Sequence, residues 1–500
     1  MEPDMSEHSV SDPSFIDFGA CWIAEAVRTS KVDPRDIIDV VESRIQAIDP
    51  HLGAFCALDL ETARATADDV AERQRRGLPL GRLAGVPVAI KDTVMVKGVP
   101  AVQGSPLYRS FVPEEDDIVV ERLRAADAII VGKTNVPELA YAGVGQNPVF
   151  ATTRNPWNLE RTSGGSSSGS AAAVAAGLVP MAVGSDGGGS IRVPSALCGL
   201  FGMKPSYGRV PLYPGCRDER HPGISSWESI EHIGPMTRSV RDGALMLQLM
   251  AGPDDRDRHS IPDEGLDWID AADTVDLSGR RVAISEDWGF LPLDPQVRRV
   301  FRQAVEIIAN RLGASVESAN PGFPDVQAAF WGLVALDTDL RGFRAAAASH
   351  RHEMSPHLVE FLDRAWLAED LTDAVQARKK VYNVMWPFMR RYDLLLTPTT
   401  LVPAFELGVR GPDMIDGIAV PPIKWTGMTF PFNMTGQPAA TVPIGLTPDG
   451  LPVGLQVVGR HLADLDVVAA SAAIESVIGF PTTSPPATAS LAALAQRRQK

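Results

Sequence analysis

The sequence predicts an α/β protein, with helices laid over a β-sheet. Helix-periodic segments alternate along the chain with short, wholly apolar runs. Several of those runs stop at a polar loop. The composition fits: 500 residues, 45% hydrophobic and 22% charged, are ordinary for a globular protein with a large core.

In chain order, "DPRDIIDVVESRIQAI" (33–48) places Ile37, Ile38, Val41, Ile45 and Ile48 at helical spacing, and 60–75 is a second helix. "GVPVAIKDT" is an apolar strand ending at Lys91. Residues 116–126 form a helix, and "AIIVGKTN" is another buried strand. From Ser163, "SGGSSSGSAAAVAAGLVPMAVGSDGGGS" runs from Gly/Ser through a buried Ala helix and a short strand back to glycine. A flexible linker would not contain "AAAVAAGLVPMAV". Residues 211–232 are a Pro/Gly-rich surface connection, and 253–278 an acidic surface excursion. Helices follow at 294–313 and 369–390, then strands in "YDLLLTPTT" and "LPVGLQVVG". No fixed-period repeat occurs. The chain is expected to form one domain over 1–500: N-terminal helices 1–80, a core 81–250, a helical insertion at about 290–390, and C-terminal strands and helix 391–480.

A net charge of −15 repels phosphate backbones, so nucleic acid is not an expected partner. Cys21, Cys56, Cys198 and Cys216 show no CxxC pairing and no histidine at zinc-ligand spacing. Neither a metal site, a cofactor nor a disulfide framework is expected. The N-terminus, "MEPDMSEHSVSDPSF", lacks a basic stretch followed by an apolar one, and no apolar run reaches the ~20 residues that span a bilayer. The expectation is a cytoplasmic enzyme with no membrane partner.

Two serines are candidate nucleophiles. Ser167 sits in Gly165-Ser166-Ser167-Ser168-Gly169, which satisfies G-x-S-x-G, but loop rather than strand leads into it. Its histidine partners would be His232 or His461, neither in a supporting motif. Ser190 follows an apolar strand and three glycines, Gly187, Gly188 and Gly189. Backbone N–H groups there can converge on one oxygen as an oxyanion hole, where one lost donor costs roughly 3–4 kcal/mol. A serine nucleophile needs a base. Lysine is scarce, nine of 47 basic side chains, so a lysine closing an apolar run is notable. Burial lowers a lysine pKa toward neutrality, which an arginine cannot match. Lys91, Lys133 and Lys204 all qualify, and burial alone does not choose among them.

The stretches "GVPVAIKD", "IIVGKTNVPELA", "TRNPWN", "GGSSSGSAAAVAAGLVPMAVGSDGGGSIRVP", "CGLFGMKPSYGRVP", "GPMTRSVRDGALML" and "FNMTGQPAATVPIG...GLPVGLQVVG" resemble the amidase signature family of Ser–Ser–Lys hydrolases. They run from residue 85 to 460 in the family's order. The resemblance implies the amidase signature fold, a large mixed sheet covered by helices on both faces. It implies Lys91 as base, Ser166 as bridging serine after a cis peptide bond, and Ser190 as nucleophile, 24 residues beyond Ser166. It implies an oxyanion hole from the amides of Gly187, Gly188, Gly189 and Ser190, support of Lys91 by Ser167, and a loop held by Asp186 and Arg192. Ser168 and Gly187 depart from the pattern, standing where glycine and a bulkier residue are usual, as do Ser163 for proline and Ser206 for threonine. The extra glycine at 187 is expected to loosen the oxyanion loop or admit a larger group.

Candidate substrate contacts are Tyr213, Trp425 and Phe430, drawn from 211–232 and 420–433, and Arg209 just before them; core packing is the alternative for each aromatic and a surface position for the arginine. The pattern is similar to broad-range bacterial amidases, including aryl acylamidases and urethane-cleaving members. The expected function is hydrolysis of hydrophobic amides or carbamates, small-molecule substrates, by a monomer or homodimer. Alternatives are a glutamine-dependent amidotransferase of the A type, a Ser167 esterase, and a non-catalytic binding protein on the same fold.

Overall fold

A computed structural model of the protein describes residues 18–224 and 226–481, with Pro485 and Thr488. The N-terminal stretch inspected for a leader lies outside them. Eleven strands pair into one mixed sheet. They are β1 (Phe55–Leu58), β2 (Pro87–Lys91), β3 (Ile129–Thr134), β4 (Met181–Ser185), β5 (Phe201–Lys204), β6 (Ile233–Thr237), β7 (Arg281–Ile284), β8 (Ser315–Ser318), β9 (Leu394–Pro398), β10 (Ala439–Leu446) and β11 (Pro452–Gly459). Their order across the sheet is β1-β3-β2-β4-β6-β5-β10-β11-β9-β7-β8. Strands β2 and β7 run parallel to both neighbours, and every other pairing is antiparallel. Every residue of β2 and β3 is buried, as parallel strands covered on both faces require.

The periodic helices form close to the expected places: Pro34–Leu52, Leu60–Arg75, Ile118–Ala125, Pro295–Arg311 and Ala368–Arg391. Asp33 starts the first of these by accepting the Arg35 N–H at 2.9 Å, with Pro34 at the first helical position. Short strands with glycine, proline or polar residues escape a periodicity reading. Among them are "FGMK" in β5, "IGPMT" in β6 and the polar edge strand β8.

One expectation is corrected. The 211–232 connection is not a surface loop: of its described residues only Glu219 and Arg220 are exposed, and Trp227 and Ile230 are buried. Aromatic side chains pin it down, with Phe111 packing on His221 at 4.3 Å and Tyr141 on Trp227 at 4.8 Å between ring centroids.

Parallel pairing decides where the chemistry gathers. Ile90 of β2 aligns with Val183 of β4, so both strands end at the same sheet edge. Lys91 thereby lies beside Ser185, and the glycine loop 186–190 leaves from the same point. Polar groups at the carboxyl ends of strands are the usual location for a site in an α/β sheet. Among the described residues, no helix is long and apolar enough to cross a membrane.

Candidate active site

Lys91 is fully buried. Its Nζ lies 2.7 Å from Ser166 Oγ, 2.8 Å from Ser185 Oγ and 3.1 Å from the Ser185 carbonyl oxygen. Burial pushes the amine pKa down to about 8, against the opposing pull of Glu231 and Asp186. Among the described residues, the other two candidate lysines meet no serine hydroxyl. Lys133 is paired with Asp92 at 3.2 Å, and Lys204 donates to the carbonyls of Pro205 and Gln437.

The Gly165–Ser166 peptide bond is cis. A Cβ at Gly165 would lie 2.8 Å from the Val144 carbonyl oxygen, so only glycine fits there. Ser167, the elbow candidate, is fully buried. Its hydroxyl donates to the Ser185 carbonyl at 3.1 Å and accepts the Ser185 N–H at 3.3 Å. The resemblance implied that Ser167 supports Lys91 by hydrogen bonding; it steadies Ser185 instead, and reaches the amine only through that residue. The Ser167 N–H also donates to the Ser190 carbonyl at 3.1 Å, tying the Ser166 segment to the Ser190 loop. His232 turns its Nδ1 to the Ile230 and Asp186 carbonyls, and the Ser167 hydroxyl is bonded to Ser185 instead.

Ser190 is half-buried and lines a cavity together with Gly165, Gly188 and Gly189. Its loop is clamped from behind. Asp186 accepts N–H groups from Gly189 at 2.7 Å and Ile191 at 3.2 Å. Arg192 grips the same carboxylate through Nε and Nη2, each at 2.9 Å. Burial opposes ionisation of Asp186, but the Arg192 guanidinium outweighs it and holds the carboxyl well below the usual range. Arg192 further donates to Gln456, Asn433 and the Thr429 carbonyl. Asp186→Ala would strand this buried cation. Denaturant unfolding is expected to show a loss of about 3–5 kcal/mol for that variant.

The four loop amides are not equivalent. The Gly189 N–H is committed to Asp186, and Gly187 lies off the cavity wall. Gly188 and Ser190 line the cavity, and their amides meet no acceptor among the described residues.

Above Ser190 the cavity is aromatic, built from Tyr141, Trp227, Phe330, Trp331 and Phe430. Phe330 and Phe430 stack with centroids 4.6 Å apart and planes 6° from parallel. Phe330 and Trp331 come from the helix Gln327–Asp337, within the segment read as a helical insertion. Of the four substrate candidates only Phe430 reaches this cavity. Arg209 is buried in ion pairs with Asp464 and Glu264. Trp425 is wholly buried, its indole N–H held by the Arg410 carbonyl at 3.0 Å. Tyr213 packs under Arg256 beside its own cis bond to Pro214. Arg209 and Trp425 direct their polar groups to these partners instead of to the cavity.

The sequence reading missed Ser185 and Glu231. Ser185 is embedded in the glycine segment, and Glu231 is one acid among 62 acidic side chains. Only the parallel β2–β4 pairing could have singled out Ser185. No local signal distinguishes Glu231.

The Amidase family profile matches residues 36–468. The chain is 35% identical over 469 residues to an acylamidase of Rhodococcus erythropolis, spanning 92% of this chain and 95% of that protein. It is 32% identical over 500 residues to the A-type component of the glutamyl-tRNA(Gln) amidotransferase of Geobacillus thermodenitrificans (strain NG80-2), covering 94% and 99% of the two chains. Its fold superposes on a bacterial aryl acylamidase of the Amidase signature enzymes with a TM-score of 0.84, at 32% identity over 92% of this chain and 96% of that one. A 6-aminohexanoate cyclic dimer hydrolase in complex with substrate gives a TM-score of 0.83 at 26% identity, over 95% and 100% of the respective chains.

Proposed function

The chain belongs to the amidase signature family of amide hydrolases, and from that premise we propose that it cleaves the C–N bond of apolar amides and carbamates through Ser190, Ser166 and Lys91. The observation that carries this reading is a buried amine 2.7 Å from the Ser166 hydroxyl, below an aromatic cavity that Ser190 lines. Neutral Lys91 takes the Ser166 proton while Ser166 takes the Ser190 proton. The freed Ser190 oxygen bonds to the substrate carbonyl carbon. The negative charge that develops on the carbonyl oxygen is met by the Gly188 and Ser190 amides. Collapse breaks the C–N bond, and the proton held by Lys91 returns through Ser166 to the departing nitrogen. Water then attacks the acyl-enzyme by the same relay, releasing the acid and restoring Ser190. With a carbamate, the released half-ester of carbonic acid divides into alcohol and carbon dioxide.

The aromatic walls favour an apolar or aryl acyl group over a charged one. A panel of p-nitroanilides, primary amides and aryl carbamates tests this. Aryl anilides and aryl carbamates are expected to give the highest kcat/KM. A preference for small charged amides would overturn the substrate class. The likeness to A-type amidotransferase components supports a second reading, in which the chain acts within a partner-dependent assembly. Anilide hydrolysis by the purified chain alone, without ATP, is expected; its absence would favour that second reading.

A further inference from the structure

A second concavity lies apart from the catalytic serines. It is a groove of about 550 Å³, in the size range that holds small ligands, and it shares no lining residue with the cavity beside Ser190. Much of its lining comes from the helix Ala368–Arg391. Met385 and Met389, four residues apart, are buried there. Tyr382 and Trp386, also four apart and so on one helix face, stay 41% and 46% exposed. Large aromatic side chains left in water beside two thioethers make a surface suited to a flat apolar ring.

The rest of the lining is mostly cationic. Arg281 begins β7, Arg390 lies in the last turn of the helix, and Arg460 and His461 follow β11. The sequence offers His461 as a partner for Ser167; it lines this groove instead. None of the described lining residues is acidic, in a chain whose net charge is −15. Asp393 meets two of the guanidinium groups, Arg460 Nη2 at 2.5 Å and Arg281 Nη2 at 3.4 Å. One carboxylate cannot balance two guanidinium groups, and Arg390 adds a third. Among the described residues the Arg390 guanidinium meets no acceptor and the His461 ring has no partner. Arg460 is held in place, because its Nε donates to the Met389 carbonyl at 2.8 Å and the Tyr392 carbonyl at 3.2 Å. Its Nη1 is left for an incoming acceptor, on a side chain whose ordering cost is already met.

We propose that this groove binds an aryl carboxylate, its ring against Trp386 and Tyr382 and its charge on Arg390 and Arg460. A guanidinium fork matches the two oxygens of a carboxylate. A neutral ring would leave the excess positive charge unanswered, and a small hydrophilic anion would gain nothing from the indole and thioether surface. Acids of this class are what cleavage of an aryl-acyl amide releases, but the charge and shape of the groove do not depend on the assignment at Ser190.

Calorimetric titration of the full chain with 2-naphthoate tests the proposal. One-to-one binding with a Kd below about 1 mM is expected. The uncharged 2-naphthylmethanol, which keeps the ring, is expected to bind at least about tenfold more weakly. Arg390→Gln and Trp386→Ala are each expected to weaken naphthoate binding about tenfold, with kcat/KM on a p-nitroanilide within about twofold of wild type. Inorganic phosphate at equal concentration is expected not to displace naphthoate. No binding at about 10 mM, equal binding of the alcohol, or displacement by phosphate overturns the proposal. So does naphthoate binding that survives both substitutions unchanged, which places the ligand beside Ser190 instead. The comparison of naphthoate with the alcohol uses wild type alone, so it decides even if a variant does not fold. A chain inactive on every anilide that still binds naphthoate through Arg390 and Trp386 defeats the proposed function and keeps the groove.

Discussion

Ser190→Ala is expected to abolish turnover, lowering kcat by about 10⁴- to 10⁶-fold, with the fold intact. The variant deletes one oxygen from a half-buried side chain whose hydroxyl meets no hydrogen-bond partner among the described residues. The loop around it is held by Asp186 through backbone N–H groups that alanine retains. Unfolding free energy should therefore change by no more than about 0.5 kcal/mol. Single-turnover assays and thermal melts of the same preparation check both halves. Ser167→Ala is the control for the elbow alternative. It removes the hydroxyl that bridges the Ser185 N–H and carbonyl, so it should cost stability before chemistry. A dead Ser167→Ala beside an active Ser190→Ala would reverse the assignment of the nucleophile.

Lys91→Arg should be as damaging for a different reason. A guanidinium stays protonated above about pH 12, so it supplies donors but no lone pair. It must also fit a larger planar group where Ser166 and Ser185 enclose a single nitrogen. A loss of about 10³-fold or more in kcat/KM is expected, and no rise in pH within the stable range should restore it. The wild-type profile carries the matching signature. Because burial lowers Lys91 to about 8, kcat/KM should climb with pH through that value and level off above it. The stability sign agrees. Folded Lys91 releases its proton near 8, while the unfolded lysine holds its proton to about 10.5. Between those values the unfolded state binds more protons, so the Lys91 contribution to stability rises with pH across that window and its penalty is present in full below it. Lys91→Met should remove that slope from the stability curve.

Much of the architecture was legible locally. Apolar runs such as "VPVAI" and "AIIV" announce buried strands, and Ile37, Ile38, Val41, Ile45 and Ile48 lie on the buried face of their helix. Strands such as "FGMK" were not legible, since their pairing depends on partners far along the chain. The site divides in the same way. The residues marked Ser167, Ser190 and three rival lysines, because glycine-rich loops and isolated lysines are visible one segment at a time, and Ser166 came from the family resemblance.

By itself, then, the sequence determined the class of fold, the family pattern and the serines at stake. Which lysine meets which serine was decided only when β2 and β4 aligned, bringing together residues 75 and 94 positions apart in the chain. The aromatic cavity likewise draws Trp227, Phe330 and Phe430 from three separate segments. The physical reason is that burial and contact distance set both pKa and hydrogen-bond direction, and both are properties of packing across the fold, not of neighbours along the chain.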